Sequence, residues 1–123
     1  MSAKVLVDTN IWVKFFRFGN PLFAALLEGN EVLCHPLVLG EISMGNLADR
    51  RAVLSDLFLL EHLPEATFAE VCHLVESRQL WGRGLQWNDV SILAAAVIAD
   101  VKVWTLDLRM AEVARQLGVC WEG

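Results

Sequence analysis

The most constraining feature of this chain is a short run of apolar residues, Val5-Leu6-Val7, that stops abruptly at Asp8-Thr9-Asn10. The run is too brief for a helix and shows no alternation, as expected of a strand buried on both faces. Ile11, Trp12, Phe15 and Phe16 then recur at helical spacing. A strand that hands over to a helix through an acid puts that acid at the carboxyl edge of the sheet, where open α/β sheets keep their chemistry. Asp, Thr and Asn are also good helix N-caps, so Asp8 or Thr9 has a plain structural role available.

The pattern recurs near the other end. Val101-Lys102-Val103-Trp104-Thr105 reads as a strand, Asp107 follows it, and a helix over 108–117 closes on Gly118. Between these ends lie helices expected up to about residue 17 and over 21–28, a strand at 31–34, and helices from 36, over 50–60, 65–80 and 89–99. Pro21 and Pro36 suit first helical positions, and Asn88 suits a cap. A last edge strand is expected at 119–121. Strands separated by helices imply a parallel sheet covered on both faces. No linker, repeat or low-complexity tract divides the 123 residues, so the fold class is α/β in a single domain over 1–123.

Two further acids stand out. Glu41 shares a helical stripe with Leu37, Val38, Ile42 and Gly45, a face where a carboxylate is uncommon without compensation. Asp89 opens the apolar stripe of Ile92, Leu93, Ala96 and Val97, where acids also serve as helix starts. Each of Asp8, Glu41, Asp89 and Asp107 has a bland explanation alone. Together at one sheet edge they would repel, and a hard divalent cation resolves that repulsion with oxygen ligands.

Composition narrows the chemistry further. Three cysteines without a C-x-x-C pair, and three histidines, supply no zinc cluster, and His35 beside Cys34 lacks a matching pair elsewhere. No Gly-rich phosphate loop or Ser-His-Asp arrangement is evident. The net charge of −5 speaks against a nucleic-acid partner only if the acids are spread out; with four of them around one metal the remaining surface is close to neutral. Hydrophobic residues make up 55% of the chain, in runs too short to span a membrane, which favours a buried partner surface. The start, MSAKVLVDTN, lacks the apolar stretch of a signal peptide, so a cytoplasmic location is expected. Metal-assisted hydrolysis of a phosphodiester is the chemistry that remains.

VLVDTNIWV, LVLGEISMG, WNDVSILAAAVIA and VWTLDLRM together resemble the PIN domain, and in length and spacing the chain is similar to VapC-type toxins of toxin–antitoxin pairs. The resemblance implies a three-layer fold with a central parallel sheet flanked by helices, and a Mg²⁺- or Mn²⁺-dependent endoribonuclease. Asp8, Glu41, Asp89 and Asp107 match the acidic quartet of the family. Asp8 and Asp89 are then the expected direct metal ligands, Asp107 helps directly or through water, and Glu41 positions or deprotonates the attacking water. Asn10 and Thr105 match polar residues that orient the acids and, with Arg109, are the expected substrate contacts. Lys14, Arg17 and Arg83 are further candidates for phosphate, and Trp12, Trp81 and Trp87 for stacking, although packing is the ordinary role of a Trp on an apolar stripe. An aromatic common in the family near the position of Met110 is absent. The resemblance also implies an RNA substrate, a cognate antitoxin and a homodimer. The alternative is a PIN-like module that binds RNA or protein without cutting; a haloacid-dehalogenase-like phosphatase would need a second Asp where Asn10 stands.

Overall fold

A computed structural model describes residues 4–123. Strand β1 (Val5–Val7) leads into α1 (Thr9–Phe18) and α2 (Pro21–Glu28), then β2 (Val32–Leu33), α3 (Pro36–Ser43), α4 (Arg50–Phe58), α5 (Phe68–Arg78), α6 (Trp87–Ala99), β3 (Lys102–Trp104) and α7 (Leu108–Gln116). The sheet is parallel in the order β2-β1-β3, with Val5 opposite Val32 and Lys102, and Leu6 opposite Leu33 and Val103. The chain leaves β1 to one side for β2 and returns to its other side for β3. The strand order therefore reverses around β1, and the crevice at a reversal is where α/β sheets open a ligand site.

Helices cover both faces, as the apolar strands require: Val5, Leu6 and Val7 are wholly buried. α1 packs on α3, α3 on α4, and α5 on α6. Phe23 anchors one layer, its ring 4.6 Å from that of Trp12 and 5.6 Å from that of Trp104. On the other side α6 approaches closely because Ala94, Ala95 and Ala96 are small and buried.

Local chemistry sets the boundaries. Pro21 and Pro36 both stand in the first turn of their helices, as expected. α5 starts later than residue 65 because Thr67 and Glu70 close a reciprocal capping box, with Thr67 N donating to Glu70 Oε1 at 2.7 Å and Glu70 N to Thr67 Oγ1 at 3.1 Å. α6 begins at Trp87, before the expected cap Asn88, because the backbone N–H of Gln86 donates to Asp89 Oδ2 at 3.0 Å. The expected last strand shrinks to one bridge, Val103 to Cys120, and β2 gains a matching bridge from Cys34 to His62 on the far edge.

Candidate active site

At the reversal point the ends of β1 and β3 are tied together by side chains. The ladder continues one step past β1, with Asp8 N donating to Trp104 O at 2.9 Å. Thr105 Oγ1 donates to Asp8 Oδ2 at 2.7 Å and accepts from Asp107 N at 3.1 Å and from Asn10 Nδ2 at 3.3 Å. Asn10 Nδ2 also reaches Asp8 Oδ2 at 3.3 Å, and Asn10 Oδ1 accepts from Leu106 N at 3.1 Å. One amide and one hydroxyl thus fix two acid-bearing turns that lie ninety-five and more residues apart in sequence.

All four acids line one cleft of about 460 Å³, together with Thr9, Asn10, Lys14 and Arg17. Capping and cleft-lining are not alternatives here. Asp8 Oδ1 accepts from Thr9 N at 2.8 Å at the start of α1. Asp107 Oδ1 accepts from Arg109 N and Met110 N at the start of α7, and Asp89 spends Oδ2 on Gln86 N. Asp107 Oδ2 and Asp89 Oδ1 keep no protein partner among the described hydrogen bonds. Glu41 reaches the cleft from α3; it is exposed at the rim, whereas its position on an apolar stripe suggested burial.

The charges feel one another. Burial raises the pKa of Asp8, and Asp89 and Asp107 add to the rise, while the bonds from Thr105 and Thr9 oppose it. Burial also raises the pKa of Glu41, with Asp8 next in weight, Thr9 holding it back and Asp89 adding a little. Among the described residues the ion pairs are Lys4–Glu61, Arg83–Glu112 and Arg115–Glu122, so no cation of the chain is paired with the four acids.

This donor set suits a hard divalent cation: carboxylate oxygens only, with pKa values raised first by burial and further by the neighbouring acids. Among the described residues no three His, Cys, Asp or Glu side chains are drawn into a ready-made coordination cluster. Each Asp instead holds a backbone N–H of its own turn.

The comparisons with known proteins agree with this architecture. The PIN domain family model matches residues 5–116, which include both acid-bearing strand ends. The chain belongs to the PIN domain family. It is similar to ribonuclease VapC32 of Mycobacterium tuberculosis, in the strains CDC 1551 / Oshkosh and ATCC 25618 / H37Rv, at 37% identity over 116 residues covering 94% of each chain. In structure it resembles PAE2754 from Pyrobaculum aerophilum with a TM-score of 0.62 at 16% identity, over 94% of this chain and 90% of the other, which bears on the fold alone.

Within this PIN fold the other singled-out residues separate clearly. Lys14 and Arg17 line the cleft, but Arg109 packs over Gly84, close enough that a Cβ there would sit 2.6 Å from its Nη1, and it is not part of the lining. Arg83 is engaged by Gln116 at 2.7 Å and by Glu112. Trp12 is core, while Trp81 and Trp87 stay exposed. Met110 is fully buried, so this PIN chain spends that position on packing. Val13 and Phe18, which the motifs above do not single out, also line the cleft, and so does Thr9, named above only as a helix cap. Their signal was present: Asn10, Val13, Lys14, Arg17 and Phe18 fall at i, i+3, i+4, i+7 and i+8, the stripe of α1 turned away from Ile11 and Trp12.

Proposed function

We propose that this chain is the toxin of a toxin–antitoxin pair, a metal-dependent endoribonuclease acting in the cytoplasm as one domain over 1–123. The observation that carries the reading is the single cleft lined by Asp8, Glu41, Asp89 and Asp107, none of them neutralised by a cation of the described chain. The 37% identity to proteins named ribonuclease VapC32 supports the substrate class and the biological setting.

Asp8, Asp89 and Asp107 would hold Mg²⁺ or Mn²⁺, which when bound supplies Lewis-acid polarisation of a phosphoryl oxygen and a more acidic water. The residues of the chain do the rest. Glu41 takes the proton of the attacking water at an Oε, and its raised pKa brings it nearer the working range of a general base. Thr105 and Asn10 hold the Asp8 carboxylate in one orientation. Their donors and acceptors are taken up inside the protein, so they act as positioning residues more than as substrate contacts. Lys14 and Arg17, free of ion pairs on the cleft wall, draw in backbone phosphates. Exposed apolar side chains such as Phe58, Leu59 and Ile98 supply surface for a homodimer and for an antitoxin.

The test is cleavage of a single-stranded RNA with Mg²⁺ or Mn²⁺ present, and again with EDTA. Asp8→Asn and Asp89→Asn should each lower the rate by about a hundredfold or more while circular dichroism stays native, because the polarisation that a held metal ion supplies to a phosphoryl oxygen is worth several kcal/mol. Undiminished cleavage by both variants, or by the wild type in EDTA, contradicts the assignment.

A further inference from the structure

A recess of about 200 Å³, separate from the acidic cleft, opens between the start of α3, the loop before α5 and the first turn of α6. His35 lines it and is 1% exposed. The Nδ1 of its ring accepts from Leu37 N at 3.0 Å, capping α3. That bond fixes the tautomer: in a neutral ring the proton must sit on Nε2. Burial, and His62 after it, lower the pKa of His35 against the opposing pull of Glu65, in keeping with the neutral ring that an accepting Nδ1 requires. Nε2–H is therefore a buried donor, and it has no acceptor in the protein. Such a group is costly to leave unmet.

The strand geometry turns the ring toward the recess. Cys34 pairs in parallel with His62, so these two side chains share one side of the sheet edge, and His35, the next residue, takes the other. The recess on that side is walled by α5 and α6. A metal does not suit it, because the Nε2 lone pair is protonated and no Cys lines the recess.

The remaining wall is that of a site for a flat ring. Phe68 and Trp87 border the recess with centroids 5.2 Å apart, and both are exposed, at 75% and 46%. Ser91 donates its proton to Trp87 O at 2.8 Å and offers only lone pairs. Glu65 presents a carboxylate, which accepts only. His35 and Glu65 thus ask the ligand for one acceptor and for donors, and the Asn88 amide, also on the wall, can serve either. Among the RNA bases, guanine meets what His35 and Glu65 ask: O6 accepts, and N1–H with N2–H₂ gives a carboxylate two donors. Uracil presents two carbonyls around one N–H, and adenine and cytosine each lack the paired donors.

The recess adjoins the cleft through shared elements. Asn88 faces it and Asp89 faces the cleft; Leu37 lines it and Glu41, one turn further along α3 and about 6 Å on, lines the cleft. We infer that this recess is a base-binding subsite, which takes an unpaired guanine next to the scissile phosphate, stacked on Phe68 and Trp87 and read by His35 Nε2–H and Glu65. The inference deepens the ribonuclease reading and rests on it for the word scissile. Unpaired bases stacked on aromatic rings and read on their edges are the usual currency of single-strand RNA recognition.

The test uses the full chain in EDTA, with guanosine, adenosine, cytidine and uridine 5′-monophosphates as probes, and follows the ¹⁵N resonance of His35 Nε2. Guanosine monophosphate should bind at least about tenfold tighter than the other three and shift that resonance. Glu65→Gln, on an exposed side chain, should weaken guanosine binding about tenfold and leave the others unchanged; Phe68→Ala should weaken all four. On a mixed-sequence RNA, Glu65→Gln should erase a preference for cuts beside guanine while the total rate falls less. If guanosine monophosphate binds no tighter than the rest, or moves no His35 signal, the recess holds a structural water only and the inference is overturned. If it binds as stated but no RNA is cut, the base site stands and the ribonuclease reading fails instead.

Discussion

Asp8 accepts hydrogen bonds from Thr9, Thr105 and Asn10, and yet burial and two neighbouring acids keep its pKa raised. Glu41 is raised for the same first reason, burial, with the Asp8 charge second. A carboxyl group with a higher pKa in the folded chain than in the unfolded one makes folding take up protons. The stability that it contributes is full at low pH and is lost as pH rises through the raised folded value. In EDTA, the difference in melting temperature between Asp8→Asn and wild type should therefore be positive at neutral pH, on the order of a few degrees, and shrink toward about pH 4. Thermal melts across that range check it; a variant that is less stable at neutral pH and gains nothing relative to wild type there contradicts the electrostatic picture. Asp8 and Asp107 could be read from the sequence as strand-end acids because position alone determines where they point. Whether they were caps or site residues could not be read, and the structure shows why: each carboxylate holds backbone N–H groups and also lines the cleft.

At the scale of elements, periodicity carried most of the reading. The apolar stripe of α1 and the proline-started α2 and α3 lie where hydrophobic spacing and turn chemistry put them. What periodicity missed depends on contacts distant in sequence. Residues 119–121 make one bridge because Val103 spends both backbone groups on Val119 and Trp121 and the chain then ends its pairing. Glu41 was expected on the buried stripe, but Val38 and Ile42 take the core and Glu41 turns to the rim beside α1. Two substitutions probe these elements. Thr67→Ala breaks the capping box of α5 and should cost about 1 kcal/mol in urea denaturation. Ala96→Leu forces a larger side chain between α6 and the sheet, where Ala96 is wholly buried, and should cost about 1–3 kcal/mol by the same measurement. An unchanged midpoint for Ala96→Leu would mean that α6 does not depend on close approach.

For the whole molecule, a three-stranded parallel sheet whose order reverses at β1 gathers acids from four separate places in the chain into one cleft. Among the described residues no helix is long and apolar enough to cross a membrane, and large apolar side chains such as Phe18, Phe58 and Ile98 stay exposed on the helices. Burial first, and repulsion among the acids after it, raise the carboxyl pKa values of Asp8 and Glu41, so the gathering of these acids works against the stability of the fold at neutral pH. On the function proposed above a bound divalent ion would reconcile the two, and at a free concentration one hundred times its dissociation constant it would stabilise the fold by about 2.7 kcal/mol. The most direct measurement of this claim is calorimetric titration of Mn²⁺ into the wild-type chain and into Asp8→Asn and Asp89→Asn, with no RNA present. One saturable site in the wild type, weakened at least about tenfold in each variant, is the predicted result; variants that bind Mn²⁺ as the wild type does, or a wild type with no saturable site, would show that the four carboxylates do not form a metal centre.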